Sequence, residues 1–490
     1  MNLKNLFSNI EKQIFGKEDI EIKGLSYDSR KISENFLFFA LNGTHTNGIN
    51  FIEDAVSKGA VCVVSQEKIE NIKCTNVVVK DIISVMATVA AKFYDYPDKK
   101  LTIIGVTGTN GKTSITYMTE SILKSLNTDI AVIGTINYRY ANIKIDAPNT
   151  TPQSLDLYKM MADIVKHGIK YLIMEVSSHS LVLGRVLGIE FDIAVFTNLT
   201  QDHLDFHKTM ESYFEAKKIL FNSLKSNVKK KQKFAIINID DIYGKKITEN
   251  IDNNVTAISY ATKDEKAKCF AKNIKITSKG TSFDLISVYG NSQIKVNLVG
   301  LHNIYNILAC IGICFALGID FENIVKNISN IVAAPGRLEP VNGNKDFSVF
   351  VDYAHTDDAL QNVLLALRNI STAKIITVFG CGGNRDKTKR PIMAKVACNL
   401  SDFVVITSDN PREEDPNSII KDIEAGAKET GKSNYKVIVD RKDAIEYAIN
   451  TAQKNDIVLL AGKGHDNYQI IGREKIHFDD REIAENILSK

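Results

Sequence analysis

The chain has 490 residues, of which 44% are hydrophobic and 24% charged, and its formal net charge is +3 at pH 7. These values are typical of a globular protein, and a charge so close to neutral gives no reason to expect binding to nucleic acid or to an acidic membrane surface. The length predicts about three domains of ~150 residues each. The seven cysteines are scattered without a Cys-x-x-Cys pair, so neither a disulfide framework nor a zinc site is indicated.

The N-terminal residues, MNLKNLFSNIEKQ, place charges among the apolar positions, which is not the pattern of a signal peptide. No run of ~18 uncharged apolar residues occurs, so we expect no membrane insertion. These features predict a protein of the reducing cytoplasm.

Residues 1–98 form the first predicted domain. Its predicted elements are short strands at Ile20–Gly24, Phe36–Leu41 and Gly59–Val64 and a helix over Phe51–Val56. The segment Ser26-Tyr27-Asp28-Ser29-Arg30 is a polar turn that, by itself, has only ordinary loop residues. Pro97 disfavours helix at the residue before it, which makes Tyr96-Pro97-Asp98 a suitable boundary.

Residues 99–333 form the second predicted domain, in which strands alternate with helices. The predicted strands are Ile103–Val106, Ala131–Ile133, Tyr171–Val176, Ile193–Asn198 and Phe234–Ile239. This alternation predicts a mostly parallel sheet with helices on both faces. The run Lys229-Lys230-Lys231 is predicted to be a solvated loop within this domain.

A phosphate-binding loop is predicted directly after the apolar run Leu101–Val106. The sequence Thr107-Gly108-Thr109-Asn110-Gly111-Lys112-Thr113 follows that run and leads into a helical pattern. A strand, a Gly-rich turn and a helix present backbone N–H groups to an anion, and a lysine reaches the terminal phosphates. The match is imperfect, because the position five residues before Gly111 is Val106 instead of glycine.

Three more polar clusters follow predicted strands of this domain. They are Asn149–Gln153, Glu175–His179 and Thr197–His207. Ligands of parallel sheets bind at the carboxyl ends of the strands, where the phosphate loop also lies. A single His or Glu at a strand end is usually structural, but three clusters at one edge indicate a site.

Residues 334–490 form the third predicted domain, a Rossmann-like α/β unit. The predicted strands are Phe347–Val351, Lys374–Phe379, Phe403–Thr407, Lys436–Val439 and Ile457–Leu460. Polar loops follow four of them, at Asp352–His355, Gly380–Asp386, Ser408–Arg412 and Gly462–Asp466. The overall fold class is therefore α/β, with a central P-loop ATPase domain of parallel sheet.

The chemistry of these residues suits ATP and a divalent cation. Glu175, His203 and the Thr113 hydroxyl are candidate Mg²⁺ ligands beside the phosphates. Asn303 and Asn306, one helical turn apart, suit either an adenine edge or a helix cap. The arginines of the third domain suit bidentate carboxylate binding, and Asp409 can take an amine. Such a set fits activation of a carboxylate by phosphoryl transfer and its capture by an amine.

The chain resembles the Mur ligases of peptidoglycan synthesis, most closely the MurE type. The matching motifs extend from Tyr27-Asp28-Ser29-Arg30 to Gly462-Lys463-Gly464-His465. The string TGTNGKT at 107–113 is that family's form of the phosphate loop. The resemblance implies a ligase that phosphorylates the D-Glu γ-carboxylate of UDP-MurNAc-L-Ala-D-Glu with ATP, and then joins an amino acid to it. Catalysis then rests mainly on positioning and charge neutralisation.

The resemblance also implies roles for individual residues. The ATP loop is Gly108, Thr109, Asn110, Gly111, Lys112, Thr113 and Ser114, and further ATP-site positions are Asn306, Arg337 and Asp352. Positions for the UDP-MurNAc-dipeptide are Ser29, Thr150, Thr151, Ser177 and Arg185. Metal positions are Thr113, Glu175, His203 and Lys217, the last as a lysine carbamate formed with CO₂. The implied catalytic group is Lys112, Glu175, His203 and Lys217. Positions for the added amino acid are Arg385, Asp409, Asn410, Pro411, Arg412, Gly462 and Asp466.

The Asp-Asn-Pro-Arg form of the loop ending at Arg412 implies meso-2,6-diaminopimelate as the added amino acid, since its second carboxylate needs a countercharge. Lysine would leave that arginine unpaired at a cost of several kcal/mol. Three positions depart from the family pattern: Asp466 replaces Glu, Leu183 replaces Gln, and Asp357 replaces Pro. The first two bear on substrate preference.

Three alternatives remain open at this stage. One is the same ligase reaction with L-lysine or L-ornithine. Another is a P-loop ATPase that uses hydrolysis as a switch, which would not explain Lys217, Arg385 and Arg412. Folylpolyglutamate synthetase shares the central fold, but the first domain and the Asp-Asn-Pro-Arg segment argue against it. We expect a monomer that binds small-molecule substrates and no nucleic acid.

Overall fold

The computed structural model describes residues 1–43, 46–224, 232–371 and 373–490. The predicted loop Lys229-Lys230-Lys231 lies outside the described residues. The chain divides into two compact units, one of Met1–Lys112 with Asn127–Ser259 and the other of Thr113–Leu126 with Tyr260–Lys490. Within the described ranges, no helix is long and apolar enough to cross a membrane.

The N-terminal part of the first unit is a five-stranded sheet in the order β1-β5-β4-β3-β2. The strands are β1 (Gln13–Phe15), β2 (Gly24–Ser26), β3 (Phe36–Phe39), β4 (Ala60–Ser65) and β5 (Thr75–Val78), and the helices are α1 (Leu3–Leu6), α2 (Ile52–Ser57) and α3 (Ile82–Phe93). Strands β2 to β5 pair in parallel, and β1 is antiparallel to β5.

The predicted strand Ile20–Gly24 is wrong over most of its length. Only Gly24 belongs to a strand, because β2 begins there and pairs Gly24 with Phe36 of β3. Upstream, Glu21 makes only an isolated bridge to Asn2. Ile22 is nevertheless fully buried, so its apolar character reflects packing outside the sheet.

The rest of the first unit is a sheet around the phosphate loop. Its strands are β6 (Thr102–Thr107), β7 (Ile130–Ile133), β8 (Asn137–Tyr140), β9 (Ile143–Asp146), β10 (Tyr171–Glu175), β11 (Ile193–Phe196) and β12 (Lys233–Asn238). The helices are α5 (Ser154–Lys166), α6 (Ser178–Val182), α7 (Leu204–His207), α8 (Met210–Asn222) and α9 (Ile242–Glu249). Helix α4 (Lys112–Ser125) begins within the phosphate-loop segment, and from Thr113 onward it belongs to the second unit. The strand order is β12-β11-β6-β10-β7-β8-β9, parallel from β12 to β7 and antiparallel beyond.

This order explains where two of the three polar clusters lie, whereas Asn149–Gln153 follows the antiparallel strand β9. Strands β6, β10 and β11 are adjacent, so the phosphate loop and the segments after Glu175 and Phe196 leave the sheet at one edge. The predicted parallel sheet is confirmed, and the β7-β8-β9 meander was not predicted.

In the second unit, an antiparallel meander precedes two helices. The elements are the end of β13 (Val255–Ala261), which belongs to this unit from Tyr260, and β14 (Cys269–Thr277), β15 (Gly280–Ser287), β16 (Gly290–Val296), α10 (Leu301–Ala316) and α11 (Phe321–Ile328). Strands β14, β15 and β16 pair antiparallel, and β13 pairs in parallel with β14. Cys310 and Cys314 of α10 are fully buried, as predicted for core residues.

The C-terminal part of the second unit is a six-stranded sheet in the order β17-β18-β22-β19-β20-β21. Its strands are β17 (Glu339–Val341), β18 (Ser348–Asp352), β19 (Ile375–Phe379), β20 (Phe403–Ile406), β21 (Tyr435–Val437) and β22 (Ile457–Ala461), followed by the hairpin β23 (Tyr468–Ile471) and β24 (Glu474–His477). The helices are α12 (Asp357–Arg368), α13 (Lys389–Leu400), α14 (Pro416–Glu429), α15 (Arg441–Thr451) and α16 (Asp480–Leu488).

Both faces of this sheet carry an apolar core. Phe379 and Leu459 pack on one face with residues of α12, α13 and α14, and Val405 and Val458 pack on the other with α15 and α16. Strands β18, β22, β19 and β20 are parallel neighbours, so the four predicted polar loops emerge from one edge. The predicted α/β architecture is confirmed here.

Candidate active site

The phosphate loop is held in shape by the end of strand β11. At Gly108 φ is +143°, and a Cβ there would lie 1.8 Å from Thr197 Oγ1, so no other residue fits. The Thr197 hydroxyl donates to the Asn110 carbonyl at 2.6 Å. Asn198 accepts the Asn110 N–H at Oδ1 (3.0 Å), and its carbonyl accepts the Thr109 N–H (2.9 Å). The loop is therefore rigidly formed by contacts within its own unit.

Two lysines converge on the same turn of this loop. Lys112 Nζ donates to the Gly108 and Thr109 carbonyls at 2.9 and 2.8 Å. Lys217 Nζ donates to the Gly108 carbonyl at 2.9 Å and lies 4.4 Å from the centre of the Tyr213 ring. Only 1% of Lys217 is exposed. Burial, followed by the charge of Lys112, lowers the pKa of Lys217 well below its ordinary value.

Glu175 is fixed at the end of β10 by Thr135. The carboxylate, 1% exposed, accepts the Thr135 N–H at Oε1 (2.9 Å) and the Thr135 hydroxyl at Oε2 (3.0 Å). The preceding residue must be small, since a Cβ at Gly134 would lie 2.4 Å from Oε1. Sequence analysis did not identify Thr135, whose role is set by contact with a residue 40 positions later.

Four of the five residues predicted for the dipeptide substrate form a hydrogen-bonded group next to Glu175. Thr150 Oγ1 is 3.1 Å from Thr135 Oγ1, and Thr151 Oγ1 donates to the Glu175 carbonyl at 2.8 Å. Thr151 also accepts the Ser177 N–H at Oγ1 (3.2 Å) and the Arg185 Nη1 donor at its carbonyl (3.0 Å). The Arg185 Nε is buried with no hydrogen-bond partner among the described residues.

His203 lies in a cluster of rings after β11. Its φ is +53°, and its ring centre is 4.9 Å from that of His179 and 6.1 Å from that of Tyr213. The His203 Nε2 is 3.4 Å from Asp202 Oδ2. In the described ranges, no group of three or more His, Cys, Asp or Glu is arranged to hold a metal. The predicted ligand set contains only two such residues, the others being a threonine and a modified lysine.

Ser29 lies in a 3₁₀ turn, Ser29–Lys31, where it is buried and interacts with Asp54. Beside this turn the same unit contains a cleft of about 750 Å³. The lining includes Tyr27, Lys31, Tyr138, Asn149 and Asp156. The Tyr27 hydroxyl donates to Asp156, and burial, followed by this contact, raises the pKa of Tyr27. The cleft thus lies between the Ser29 turn and the start of the Thr150 segment.

The other predicted ATP-site residues belong to the second unit. Thr113 and Ser114 lie in the first turn of α4 and are buried. Asn306 is buried and donates to Asn303 Oδ1 at 3.2 Å, while Asn303 Nδ2 donates to the Val299 carbonyl at 2.9 Å. The two amides therefore share one face of α10, as predicted, whereas the N-cap of this helix is Gly300, which has no side chain to form a capping hydrogen bond.

Arg337 and Asp352 interact through their opposite charges near the start of the C-terminal sheet. Asp352 accepts the N–H groups of Leu338 and Ala354 at 2.6 and 2.8 Å. Burial raises the pKa of Asp352, and the charge of Arg337 opposes this shift. The Arg337 guanidinium lies 5.4 Å from the centre of the Tyr353 ring.

The loop after β20 is anchored by the loop after β22. Lys463 is fully buried, and its Nζ is 3.6 Å from Asp409 Oδ1 and 3.5 Å from Asn410 Oδ1. Asn410 Oδ1 also accepts the Ile470 N–H at 2.9 Å. Asp409 Oδ1 is buried without a hydrogen bond in the described part of the chain, although it has Lys463 as an ion-pair partner.

Two arginines lie beside Gly382 at this edge. A Cβ placed on Gly382 would be 2.9 Å from Arg412 Nη1 and 3.8 Å from Arg385 Cγ. Arg412 has a φ of +53°, a left-handed conformation that costs a non-glycine residue on the order of 1 kcal/mol. Its N–H donates to the Ile470 carbonyl at 3.0 Å, and its carbonyl accepts the Gly472 N–H at 2.7 Å. The hairpin β23–β24 therefore compensates the strain.

Asp466 lies in the loop after β22, four residues beyond Gly462. Its N–H donates to the Lys463 carbonyl at 2.9 Å, and its Oδ1 is 3.9 Å from His465 Nε2. Burial raises the pKa of Asp466, and Lys463 partly offsets the shift. A partly buried carboxylate of this kind favours a cationic partner.

Comparison with known proteins accounts for most of the chain. The Mur ligase middle domain matches residues 106–314, the Mur ligase glutamate ligase domain residues 336–464, and the Mur ligase family catalytic domain residues 21–94. The chain belongs to the Mur ligase family. The family membership expected from the motifs is therefore confirmed.

Among curated relatives, a protein of Clostridium acetobutylicum named UDP-N-acetylmuramoyl-L-alanyl-D-glutamate–2,6-diaminopimelate ligase 1 is 47% identical, with 100% of both chains covered. A Fusobacterium nucleatum protein named as a ligase of the same kind is 48% identical over 98% of this chain and 97% of its own. A solved structure with that title has a TM-score of 0.73 at 32% identity and covers 100% of this chain and 98% of its own.

More distant structures share the fold alone. A MurF structure from Acinetobacter baumannii has a TM-score of 0.65 at 19% identity, covering 95% of this chain and 96% of its own. A Mycobacterium tuberculosis folylpolyglutamate synthase has a TM-score of 0.60 at 16% identity, covering 77% of this chain and 92% of its own. The predicted α/β fold of this Mur ligase is thus confirmed, while the roles of individual site residues stay predictions.

Proposed function

We propose that the chain is an ATP-dependent ligase that adds meso-2,6-diaminopimelate to the D-Glu γ-carboxylate of UDP-MurNAc-L-Ala-D-Glu. The carboxylate attacks the γ-phosphorus of ATP, which gives an acyl phosphate and ADP. The amine then attacks the acyl carbon, loses a proton and expels phosphate, leaving an amide. The observation that carries this proposal is that Arg385 and Arg412 both lie beside Gly382, and the names of relatives aligned over the whole chain support it.

ATP would be bound by the loop Gly108–Ser114, with Lys112 on the phosphates and Asn306, Arg337 and Asp352 as further contacts. The formed loop and its two lysines support this assignment. Thr113, Glu175 and His203 would hold Mg²⁺, which neutralises phosphate charge when bound. The Glu175 carboxylate, held in place by Thr135, is an oxygen ligand of the type that Mg²⁺ prefers.

Lys217 is proposed to carry CO₂ as a carbamate. The uncharged form of the amine, which burial favours by lowering the pKa of Lys217, forms an N–C bond with CO₂ and releases a proton to water. The product is a buried anion. Because Lys112 and Lys217 both contact the Gly108 carbonyl, the carbamate would attract the ammonium group of Lys112.

The UDP-MurNAc-dipeptide would bind along Ser29, Thr150, Thr151, Ser177 and Arg185. The cleft of about 750 Å³ beside the Ser29 turn supports this path, because it also reaches Asn149. The buried Arg185 Nε supplies a free donor suited to a substrate oxygen.

The preference for diaminopimelate over lysine would come from Arg385 and Arg412. Asp409, Asn410, Pro411, Gly462 and Asp466 would complete the amino-acid site. Lysine lacks the second carboxylate, so it would leave a partly buried guanidinium without its countercharge. We also propose that the enzyme acts as a cytoplasmic monomer, to be checked by light scattering and cell fractionation.

The test is phosphate release by the purified protein with ATP, Mg²⁺ and UDP-MurNAc-L-Ala-D-Glu, with diaminopimelate, lysine or ornithine supplied separately. We expect turnover with diaminopimelate and little with the others. Turnover with lysine at an equal rate would overturn the specificity, and turnover without any amino acid would favour an ATPase switch.

A further inference from the structure

The loops that carry Arg385 and Arg412 are joined by a buried arginine of helix α13. The Arg390 side chain is 0% exposed. Its Nη2 donates to Glu414 Oε1 and Oε2 at 3.0 and 3.1 Å, and its Nη1 donates to Glu414 Oε2 at 3.1 Å. Nη1 also donates to Asp422 Oδ2 at 2.9 Å. Such paired contacts fix a guanidinium in direction as well as in distance.

Glu414 connects this arginine to both loops. It lies two residues after Arg412, and its Oε1 accepts the N–H of Asn384, the residue before Arg385, at 2.5 Å. Arg390 Nη2 is also 3.4 Å from the Gly382 carbonyl. One carboxylate and one guanidinium thus tie the backbone on both sides of Gly383 to the segment that follows Arg412.

Further bonds align the two loops along their length. The Gly383 N–H donates to the Asn410 carbonyl at 2.9 Å, and Arg412 Nη1 donates to the Gly383 carbonyl at 2.8 Å. The Glu413 N–H donates to Asn384 Oδ1 at 3.1 Å. The orientation of the Arg412 guanidinium therefore depends on where the Gly382–Asn384 segment is held.

We propose that Arg390 and Glu414 are positioning residues for the added amino acid, holding Arg385 and Arg412 side by side so that both guanidinium groups meet its carboxylates. The inference rests on the proposed function. Two like-charged arginines repel each other, and free loops would separate them before substrate arrives. Loops fixed in advance reduce the ordering cost of binding.

The ion pair of Arg390 and Glu414 is better explained by a role in positioning the two loops than by a contribution to the free energy of unfolding. A buried ion pair contributes little net stability, because the loss of hydration offsets most of the electrostatic gain. Here both partners also bond to the backbone of the loop that carries Arg385. Arg390 itself does not reach substrate, since its side chain is fully buried.

The chain offers a matched pair of variants for the test. Glu414→Gln removes the charge that ties the loops. Asp422→Asn removes a charge from the same guanidinium, but Asp422 is 43% exposed and no hydrogen bond joins it to either loop in the described part of the chain. We expect Glu414→Gln to lower kcat/KM for diaminopimelate by about 10- to 100-fold, the loss of one charge-assisted contact. The KM for ATP should stay within about twofold, and Asp422→Asn should change neither value by more than that.

A purely structural role would instead lower kcat/KM for all substrates alike, in both variants. That result, or a Glu414→Gln enzyme with wild-type kcat/KM for diaminopimelate, would overturn the proposal. If Glu414→Gln fails to fold, Arg390→Lys serves as the second variant, because it keeps the positive charge but loses the paired guanidinium contacts with Glu414. We expect the same loss in kcat/KM for diaminopimelate without a change in the KM for ATP. A wild-type enzyme without diaminopimelate-dependent turnover would refute the proposed function instead.

Discussion

Replacing Thr135 by valine removes one of the hydrogen bonds that orient the Glu175 carboxylate while keeping the shape of the side chain. The backbone N–H contact at 2.9 Å is retained, and the hydroxyl contact at 3.0 Å is lost. A hydrogen bond to a buried charge contributes about 1.5–3 kcal/mol, which corresponds to about 10- to 100-fold in an equilibrium constant. We therefore expect the Mg²⁺ concentration for half-maximal activity to rise by that factor.

Two measurements check this expectation. Mg²⁺ titration of ATP turnover gives the half-saturating concentration, and calorimetric titration of the protein with Mg²⁺ and a non-hydrolysable ATP analogue gives binding without chemistry. Thr135→Ser retains the hydroxyl and should stay within about twofold of the wild type, since one charge-assisted hydrogen bond is kept. A Thr135→Val protein with wild-type values in both titrations would refute the role of Glu175 as a metal ligand oriented by Thr135.

Further predictions concern Lys217, Arg412 and Glu414. Lys217→Ala should lose most activity, and excess bicarbonate should not restore it; an active variant would refute the carbamate assignment. Arg412→Ala should raise the KM for diaminopimelate about 10- to 100-fold through loss of a charge-assisted contact, with nucleotide binding unchanged by fluorescence titration. The pKa of Glu414 is lowered from 4.5 to about 2, mainly by the hydrogen bond from Arg390. The ionised Glu414 therefore stabilises the folded state above pH 4.5, and this contribution is lost as the pH falls towards 2. The melting temperature of the wild type should fall more steeply over that range than that of Glu414→Gln, and parallel curves would contradict the shift.

The position of the site could be predicted because parallel strands expose their carboxyl ends at one edge. The phosphate loop after β6 and the segments after β10 and β11 follow from the order of apolar runs and polar clusters. The same reasoning holds for the loops after β19, β20 and β22. The loop departs from the strict phosphate-loop pattern at Val106. Its conformation is instead held by hydrogen bonds with Thr197 and Asn198, the two residues after β11.

The burial of Lys217 had a signal in the sequence. Tyr213, Lys217 and Leu220 are spaced at helical intervals, and all three are buried on one face of α8. A lysine on an apolar helix face is unusual, so the periodicity alone singles it out. Its contact with the Gly108 carbonyl could not be predicted, because it joins residues 109 positions apart.

The contacts of Thr135, Arg390 and Glu414 could not be derived from local patterns. Each depends on a side chain far along the chain, and each residue type is ordinary at its position. The meander β14–β16, by contrast, has a local signal. Phe283 and Leu285 of β15 are buried while Asp284 between them is more exposed, and this alternation predicts a strand.

A competition experiment determines directly which amino acid the enzyme adds. The purified protein is given ATP, Mg²⁺, UDP-MurNAc-L-Ala-D-Glu and an equimolar mixture of meso-diaminopimelate and L-lysine, and the product is identified by mass spectrometry. We expect a UDP-linked tripeptide that carries diaminopimelate almost exclusively. A product that carries lysine in equal or greater amount would contradict this expectation.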